Sequence, residues 1–210
     1  MKKRIALMTT TVMVVATIAV PAVFANQTDE AAGSTVDNPI VFDYQDIDES
    51  IYEGKWFDTE LGFEVYLPAD WEESEVTDEM AEAGLVFIAG ENEETGGANL
   101  VITYTEVPEE VKESYDLEQL GLELAETNTT AIYADLNGIP AVIFENDETQ
   151  VNGFAFLTSN GFVISGVISA SPEIGYEEYG PYIMNMTMSI SPTESDTEAE
   201  SGSGSESESE

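Results

Sequence analysis

The stretch Asp135-Leu136-Asn137-Gly138-Ile139-Pro140-Ala141-Val142-Ile143-Phe144-Glu145 decides the fold class. Asn137-Gly138 separates two runs of strand formers, Ile132–Leu136 and Ile139–Glu145. That arrangement predicts a tight β-hairpin, because Asn and Gly accept the left-handed backbone such turns need. Pro140 has no N–H to give to a ladder, so its strand must begin at an edge or at a non-bonded position. Val151–Thr158 and Phe162–Ala170 flank Ser159-Asn160-Gly161 and predict a second hairpin by the same logic. Toward the N-terminus, Asn99–Thr105 and the short apolar run Leu85–Ala89 read as strands on either side of a Gly/Glu-rich turn. Gly62–Leu67 alternates until Pro68 ends it, and Ile51–Phe57 is rich in β-formers.

Two or three helices interrupt the strands. Leu117, Leu120 and Leu124 recur at i, i+3 and i+7 behind Asp116, which predicts a helix over 116–126 with Asp116 as its N-cap. Gly121 weakens that helix without breaking its pattern. Thr77–Ala83 predicts a short helix. Glu177–Ile190 predicts the last one, with Tyr179, Ile183, Met186 and Ile190 on one face and Pro181 tolerable only in the first turn. Hairpins with helices set between them give an α+β fold with a largely antiparallel sheet.

The chain has 210 residues, with 43 Asp+Glu against 5 Lys+Arg, no His and no Cys. Residues 1–25 read as a secretory signal: Lys2-Lys3-Arg4, an uncharged apolar run from Ile5 to Val20, Pro21, and a small-residue cleavage pattern ending at Ala25. Retention of this segment as a membrane anchor is the alternative. Residues 26–39 read as a flexible leader, 40–191 as one domain, and 192–210 as a disordered acidic Ser/Gly/Glu tail that cannot bury enough surface to offset chain entropy. Cleavage after Ala25 leaves only Lys55 and Lys112 as cations and moves the formal charge from −38 to −41. The domain itself holds 33 of the acidic residues, so most of the charge belongs to a folded surface.

These counts exclude whole classes of chemistry. Without Cys there is no disulfide, thiol nucleophile or Cys-ligated zinc, and without His no Ser-His-Asp triad. Two cations cannot neutralise a nucleic acid backbone, and an anionic membrane surface repels the mature chain. A hydrophobic fraction of 42% with 10% aromatics is that of a folded protein.

Several segments are similar to the PsbP-like fold. GFEVYLPADW (62–71) resembles its strand-Leu-Pro-loop-Trp opening, and GANLVITYTE (97–106), DLNGIPAVIFE (135–145), NGFVISGVISA (160–170) and YIMNMTMSI (182–190) follow in the order that fold uses. The resemblance covers Gly62 to Ile190. That superfamily includes the photosystem II extrinsic protein PsbP, a nuclear-import factor that binds the Ran GTPase, and many secreted bacterial relatives. The resemblance implies a central antiparallel sheet packed between helices, and non-enzymatic binding or assembly work. It brings no partner with it: PsbP docking relies on basic surface residues, and here only Lys55 and Lys112 remain. No functional residue of the family maps onto this chain.

Carboxylates are the one abundant functional group. Asp43, Asp46, Asp48 and Glu49 cluster ahead of the first predicted strand and are the candidate ligands for a weakly bound calcium ion, although their spacing departs from the EF-hand loop. Glu91-Asn92-Glu93-Glu94 is a second such turn. Otherwise no cofactor is expected. Met184, Met186 and Met188 would converge on a metal only in a strand, and on a helix they read as core packing. Trp56 and Trp71, with the Tyr residues, either pack the core or line a carbohydrate or peptide groove. Asn26, Asn128 and Asn185 begin Asn-x-Ser/Thr sequons. The function expected is a secreted, non-enzymatic binding or assembly domain for a cationic protein or cell-surface component. The alternatives are a divalent-cation (calcium) module and a carboxylate-dependent hydrolase.

Overall fold

The computed structural model describes residues 34–43, 47–91, 97–170 and 176–193. The signal segment with Ala25, residues 26–33 of the leader, Asp46, residues 92–94 and the tail beyond residue 193 lie outside them.

The described chain runs β1 (Ile40–Phe42), β2 (Gly54–Asp58), β3 (Phe63–Pro68), β4 (Glu72–Glu73), α1 (Asp78–Glu82), β5 (Leu85–Gly90), β6 (Asn99–Glu106), α2 (Leu117–Thr127), β7 (Thr130–Leu136), β8 (Ile139–Asn146), β9 (Val151–Leu157), β10 (Phe162–Ser169), α3 (Tyr176–Met188) and β11 (Ser191–Pro192). Eight strands form one sheet in the order β1-β7-β8-β9-β10-β6-β5-β4, and β11-β3-β2 form a second. Every pairing is antiparallel except β1 with β7. The fold is α+β with a largely antiparallel sheet, as the hairpins predict.

Strand periodicity sorts the side chains of the large sheet onto two faces. Val142, Phe144 and Ala155 point to one side, where Leu117, Leu120 and Leu124 of α2 cover them. Ile132, Leu136, Ile143, Phe154, Leu100 and Ile102 point to the other side. There they meet Phe63, Val65 and Leu67 of the small sheet and Tyr179, Ile183, Met186 and Ile190 of α3. The second layer is therefore a helix and a small sheet together rather than helices alone. Cross-strand rings close the gaps left by glycines: Phe144 lies opposite Gly153 and Phe154 opposite Gly166. A methyl group added at either glycine would collide with the facing ring.

Local expectations hold with specific differences. Asn137 (φ 54°) and Gly138 (φ 93°) form the predicted left-handed turn, with Leu136 opposite Ile139. Pro140 faces Asp135, ahead of Val142 where pairing with β9 begins, so its missing N–H breaks no ladder although β8 is an interior strand. Asp116 caps α2, its carboxylate accepting from the Gln119 N–H at 2.9 Å. Gly121 is more than a weak point: the helix approaches Tyr133 so closely that a Cβ there would lie 2.5 Å from the Tyr133 hydroxyl.

Three local details differ in ways that have a physical cause. The strand expected from Ile51 starts at Gly54, because the Ile51 N–H turns back to the Asp48 carbonyl (3.1 Å) and Tyr52 sends its hydroxyl to the Tyr66 carbonyl (2.9 Å). The last helix ends at Met188 rather than Ile190, where Ser189 folds its hydroxyl onto the Met186 carbonyl at 2.6 Å. Pro181 is the sixth residue of that helix and lies in the second turn, not the first. The hydrogen bond it forgoes is one near the helix start. The buried row Tyr179, Ile183, Met186 and Ile190 holds the helix in place regardless.

One loop stores an electrostatic cost. In the β8–β9 turn both carboxylate oxygens of Asp147 are shielded and make no hydrogen bond, and burial raises its pKa above the usual aspartate range. A raised carboxylate pKa marks an ionised form disfavoured by folding, a cost that is present at neutral pH and disappears as pH falls through the folded pKa. Asp147→Asn should therefore stabilise the protein at neutral pH, by less than about 1 kcal/mol because solvent screens this surface turn. The gain should shrink toward zero as denaturation is repeated at progressively lower pH.

Candidate functional site

Five aromatic rings form a row that runs from the surface into the core of the second layer. Trp56 of β2 leans on Tyr66 of β3 (5.4 Å between ring centres), Tyr66 stacks on Tyr52 (5.6 Å), Tyr52 on Tyr182 (5.5 Å) and Tyr182 on Tyr179 (4.9 Å). Trp56 stands exposed at one end, and Tyr179 is 1% exposed at the other. Backbone geometry fixes the row. Trp56 and Tyr66 are direct cross-strand partners. The Tyr66 hydroxyl accepts from the Gly54 N–H at 2.9 Å, and its ring lies where a Gly54 side chain would be. Tyr179 and Tyr182 share a face of α3 at i, i+3.

The row ends in a cavity of about 400 Å³ lined by Tyr52, Tyr179, Tyr182, Pro68, Ala69 and Trp71, with the carboxylates of Glu53, Asp70 and Glu91. Tyr52, Pro68, Trp71 and Tyr179 are its buried elements, and Glu53 and Asp70 sit exposed at its rim. Pro68 ends β3 and starts the turn that carries Asp70 and Trp71, closed by the Trp71 N–H on the Pro68 carbonyl at 3.0 Å. Lys55 clasps this turn: its ammonium donates to the Ala69 carbonyl (3.2 Å) and the Trp71 carbonyl (2.8 Å) while resting over the Phe57 ring. Glu91 is held by the Ala98 N–H, which donates to its Oε2 at 3.2 Å. Burial raises the pKa values of Tyr52 and Tyr179, and the nearby charges of Glu91 and Asp70 push Tyr179 further the same way. Both hydroxyls stay protonated across the physiological range.

The candidate calcium ligands are placed differently. Asp48 is exposed and folds back on itself: its Oδ1 accepts from the Ser50 N–H at 2.9 Å, and hydrogen bonds from Ser50 hold its pKa below the usual range. Its backbone is anchored on Asn185, whose Oδ1 accepts from the Asp48 N–H at 2.8 Å. Asp43 and Glu49 are exposed, and Asp46 is outside the described residues. Among the described residues no group of three or more acidic side chains converges as a metal site.

The remaining candidates also find their places. Met186 is buried in the core while Met184 and Met188 are half-buried on the same helix, so the three thioethers do not converge. Trp71 lines the cavity, whereas Trp56 stands at the far end of the aromatic row. Asn185 is fully buried and closed to glycosylation in the folded chain, and Asn128 caps α2 through the Leu124 carbonyl. Trp71 and tyrosines do line one cavity, as the groove alternative expects, while Asp70 and the meeting of Glu91 with these rings were not foreseen. The signal available was the recurrence of Tyr176, Tyr179 and Tyr182 at three-residue spacing.

Lys55 and Lys112 are the only cations among the described residues, and both are engaged. Lys112 lies 3.3 Å from Glu106 and 3.1 Å from Glu109, whose hydrogen bonds raise its pKa. The other carboxylates repel one another through solvent. Raising ionic strength from a few millimolar to about 0.1 M shortens the screening length to about 10 Å and should raise the melting temperature. A melting temperature that stays flat or falls over that range would contradict net self-repulsion.

No family model matches the chain, and no curated protein matches it. Among solved structures it is similar to cyanobacterial PsbP (CyanoP) from Synechocystis sp. PCC 6803, with a TM-score of 0.47 and 14% identity, over 67% of this chain and 92% of that one. Among the described residues no helix is long and apolar enough to cross a membrane.

Proposed function

We propose that this chain is an exported, non-enzymatic binding or assembly domain that recognises a cationic partner, a basic protein or cell-surface component, through its carboxylate-rich surface. The observation carrying this reading is the imbalance of charge on a folded surface. Two lysines are tied up in local contacts, against 33 acidic residues between 40 and 191. Such a surface attracts cations over long range, and the attraction weakens with salt. Crosslinking the exported protein on its own cell surface, at low and at moderate salt, tests the reading. The expected partners are basic, and their recovery falls as salt rises. Recovery of acidic partners, or recovery indifferent to salt, would contradict it.

The carboxylate hydrolase reading keeps one favourable observation, the acids lining a cavity. It requires turnover of a hydrolase substrate that Asp70→Asn or Glu91→Gln abolishes.

A further inference from the structure

We propose that Asn160 is a self-modifying site, converted to aspartate and isoaspartate within the folded protein through a succinimide formed with the Gly161 nitrogen. The fold guards the other two Asn-Gly pairs of the chain, Asn137-Gly138 and Asn152-Gly153, against the same reaction. The conversion needs no partner and no enzyme.

The chemistry follows from the residue pair. The backbone nitrogen of the glycine attacks Cγ of the asparagine and a C–N bond forms. The side-chain nitrogen leaves as ammonia, carrying the proton that the backbone nitrogen gives up. Water then opens the ring at either of its carbonyls, which leaves aspartate or isoaspartate. Glycine hinders this attack least, because it has no Cβ and a permissive backbone. Within a fold the rate depends on access of water, on release of the glycine N–H and on release of the amide.

The three pairs differ in all of these. Asn152 is 0% exposed inside β9, between Glu145 and Ile168 of the flanking strands. Asn137 is half-buried. Its amide nitrogen, the leaving group, donates to the Met188 and Ile190 carbonyls, and the nucleophile, the Gly138 N–H, is held by the Asp135 carboxylate at 2.6 Å. Asn160 stands exposed in the β9–β10 turn. Its amide nitrogen donates to the Tyr104 hydroxyl at 3.3 Å, and the Gly161 N–H donates to the Thr158 carbonyl at 3.1 Å. The Thr158 hydroxyl lies closer to Asn160 Oδ1 than to the Phe162 carbonyl, which is 3.2 Å away. A donor on that oxygen stabilises the negative charge that develops there as Cγ is attacked.

The products follow the same ranking. At position 160 a carboxylate accepts from the Thr158 hydroxyl as the amide oxygen does, and the Tyr104 hydroxyl can turn to donate to it. At position 137 a carboxylate would face two carbonyls with no proton to offer them. The fold tolerates conversion at the first position and not at the second.

Incubation of the folded protein at mildly alkaline pH, with peptide mapping by mass spectrometry at intervals, tests this. The same incubation in denaturant supplies the reference rates, and there the three pairs should convert at similar rates. In the folded protein Asn160 should convert about tenfold faster than Asn137 and Asn152, which must first break their bonds or open a strand. The product variants give a second measurement. Asn160→Asp should leave the melting temperature unchanged, and Asn137→Asp should lower it. Folded-state conversion at Asn137 or Asn152 as fast as at Asn160, or conversion at Asn160 seen only in denaturant, would overturn the proposal. So would a melting temperature lowered as much by Asn160→Asp as by Asn137→Asp.

Discussion

Phe154→Ala is expected to destabilise the domain by about 3–5 kcal/mol, the range for emptying a fully buried aromatic site. Phe154 is 0% exposed and sits at the centre of the larger core, with Phe63 edge-on at 6.1 Å and Phe156 stacked at 6.2 Å. Its ring also covers Gly166 on the neighbouring strand, occupying the space a side chain there would need. Gly166→Ala should therefore destabilise by overpacking, by about 1–3 kcal/mol. The two effects are coupled, because removing the ring makes room for the methyl. Denaturant titration of both single variants and the double should show the double falling short of the sum by at least about 1 kcal/mol. Strict additivity would mean that the ring does not lie over the glycine.

Asn137→Ala is expected to cost about 3 kcal/mol, and Asn137→Gly about 2 kcal/mol. Two roles meet in this residue. Its backbone holds a left-handed conformation in the β7–β8 turn (φ 54°), which alanine adopts at a penalty and glycine does not. Its side-chain amide donates to the Met188 carbonyl at 2.9 Å and the Ile190 carbonyl at 2.7 Å, at the end of α3. Both substitutions remove those bonds and leave terminal carbonyls of α3 short of partners. Alanine adds the backbone strain. The difference between the two variants isolates the turn, and the loss common to both isolates the helix cap. If the glycine variant matched the unaltered protein in stability, the side-chain bonds would contribute nothing.

Asn137 also shows what a sequence discloses. Asn-Gly between apolar runs announces a hairpin because the information is local: backbone freedom and flanking periodicity lie within a dozen residues. The same asparagine's service to α3 is invisible, since its partners stand 51 and 53 residues away. The strands with a strong pattern and the cap at Asp116 were legible for the same local reason. Short β1, β4 and β11 were not. Ile40–Phe42 has too few residues to show a period and becomes a strand because the edge of β7 offers unpaired backbone groups.

The cavity lies furthest from sequence reading. Tyr52, Asp70-Trp71, Glu91 and Tyr179 come from four separate segments, and each alone reads as core or solvated surface. Only the packing of α3 against the small sheet brings them together. Gly121 is the reverse case. Helix propensity counts it as a defect, and the contact with Tyr133 shows why the helix needs it.

The central claim is that a folded acidic surface exists to meet a cationic partner. Calorimetric titration with a lysine-rich peptide, first at a few millimolar salt and then at about 0.15 M, where screening acts over about 8 Å, tests it most directly. Saturable binding is expected at low salt, weakening steeply at the higher salt. Absence of saturable heat at low salt, or an affinity unmoved by salt, would contradict it.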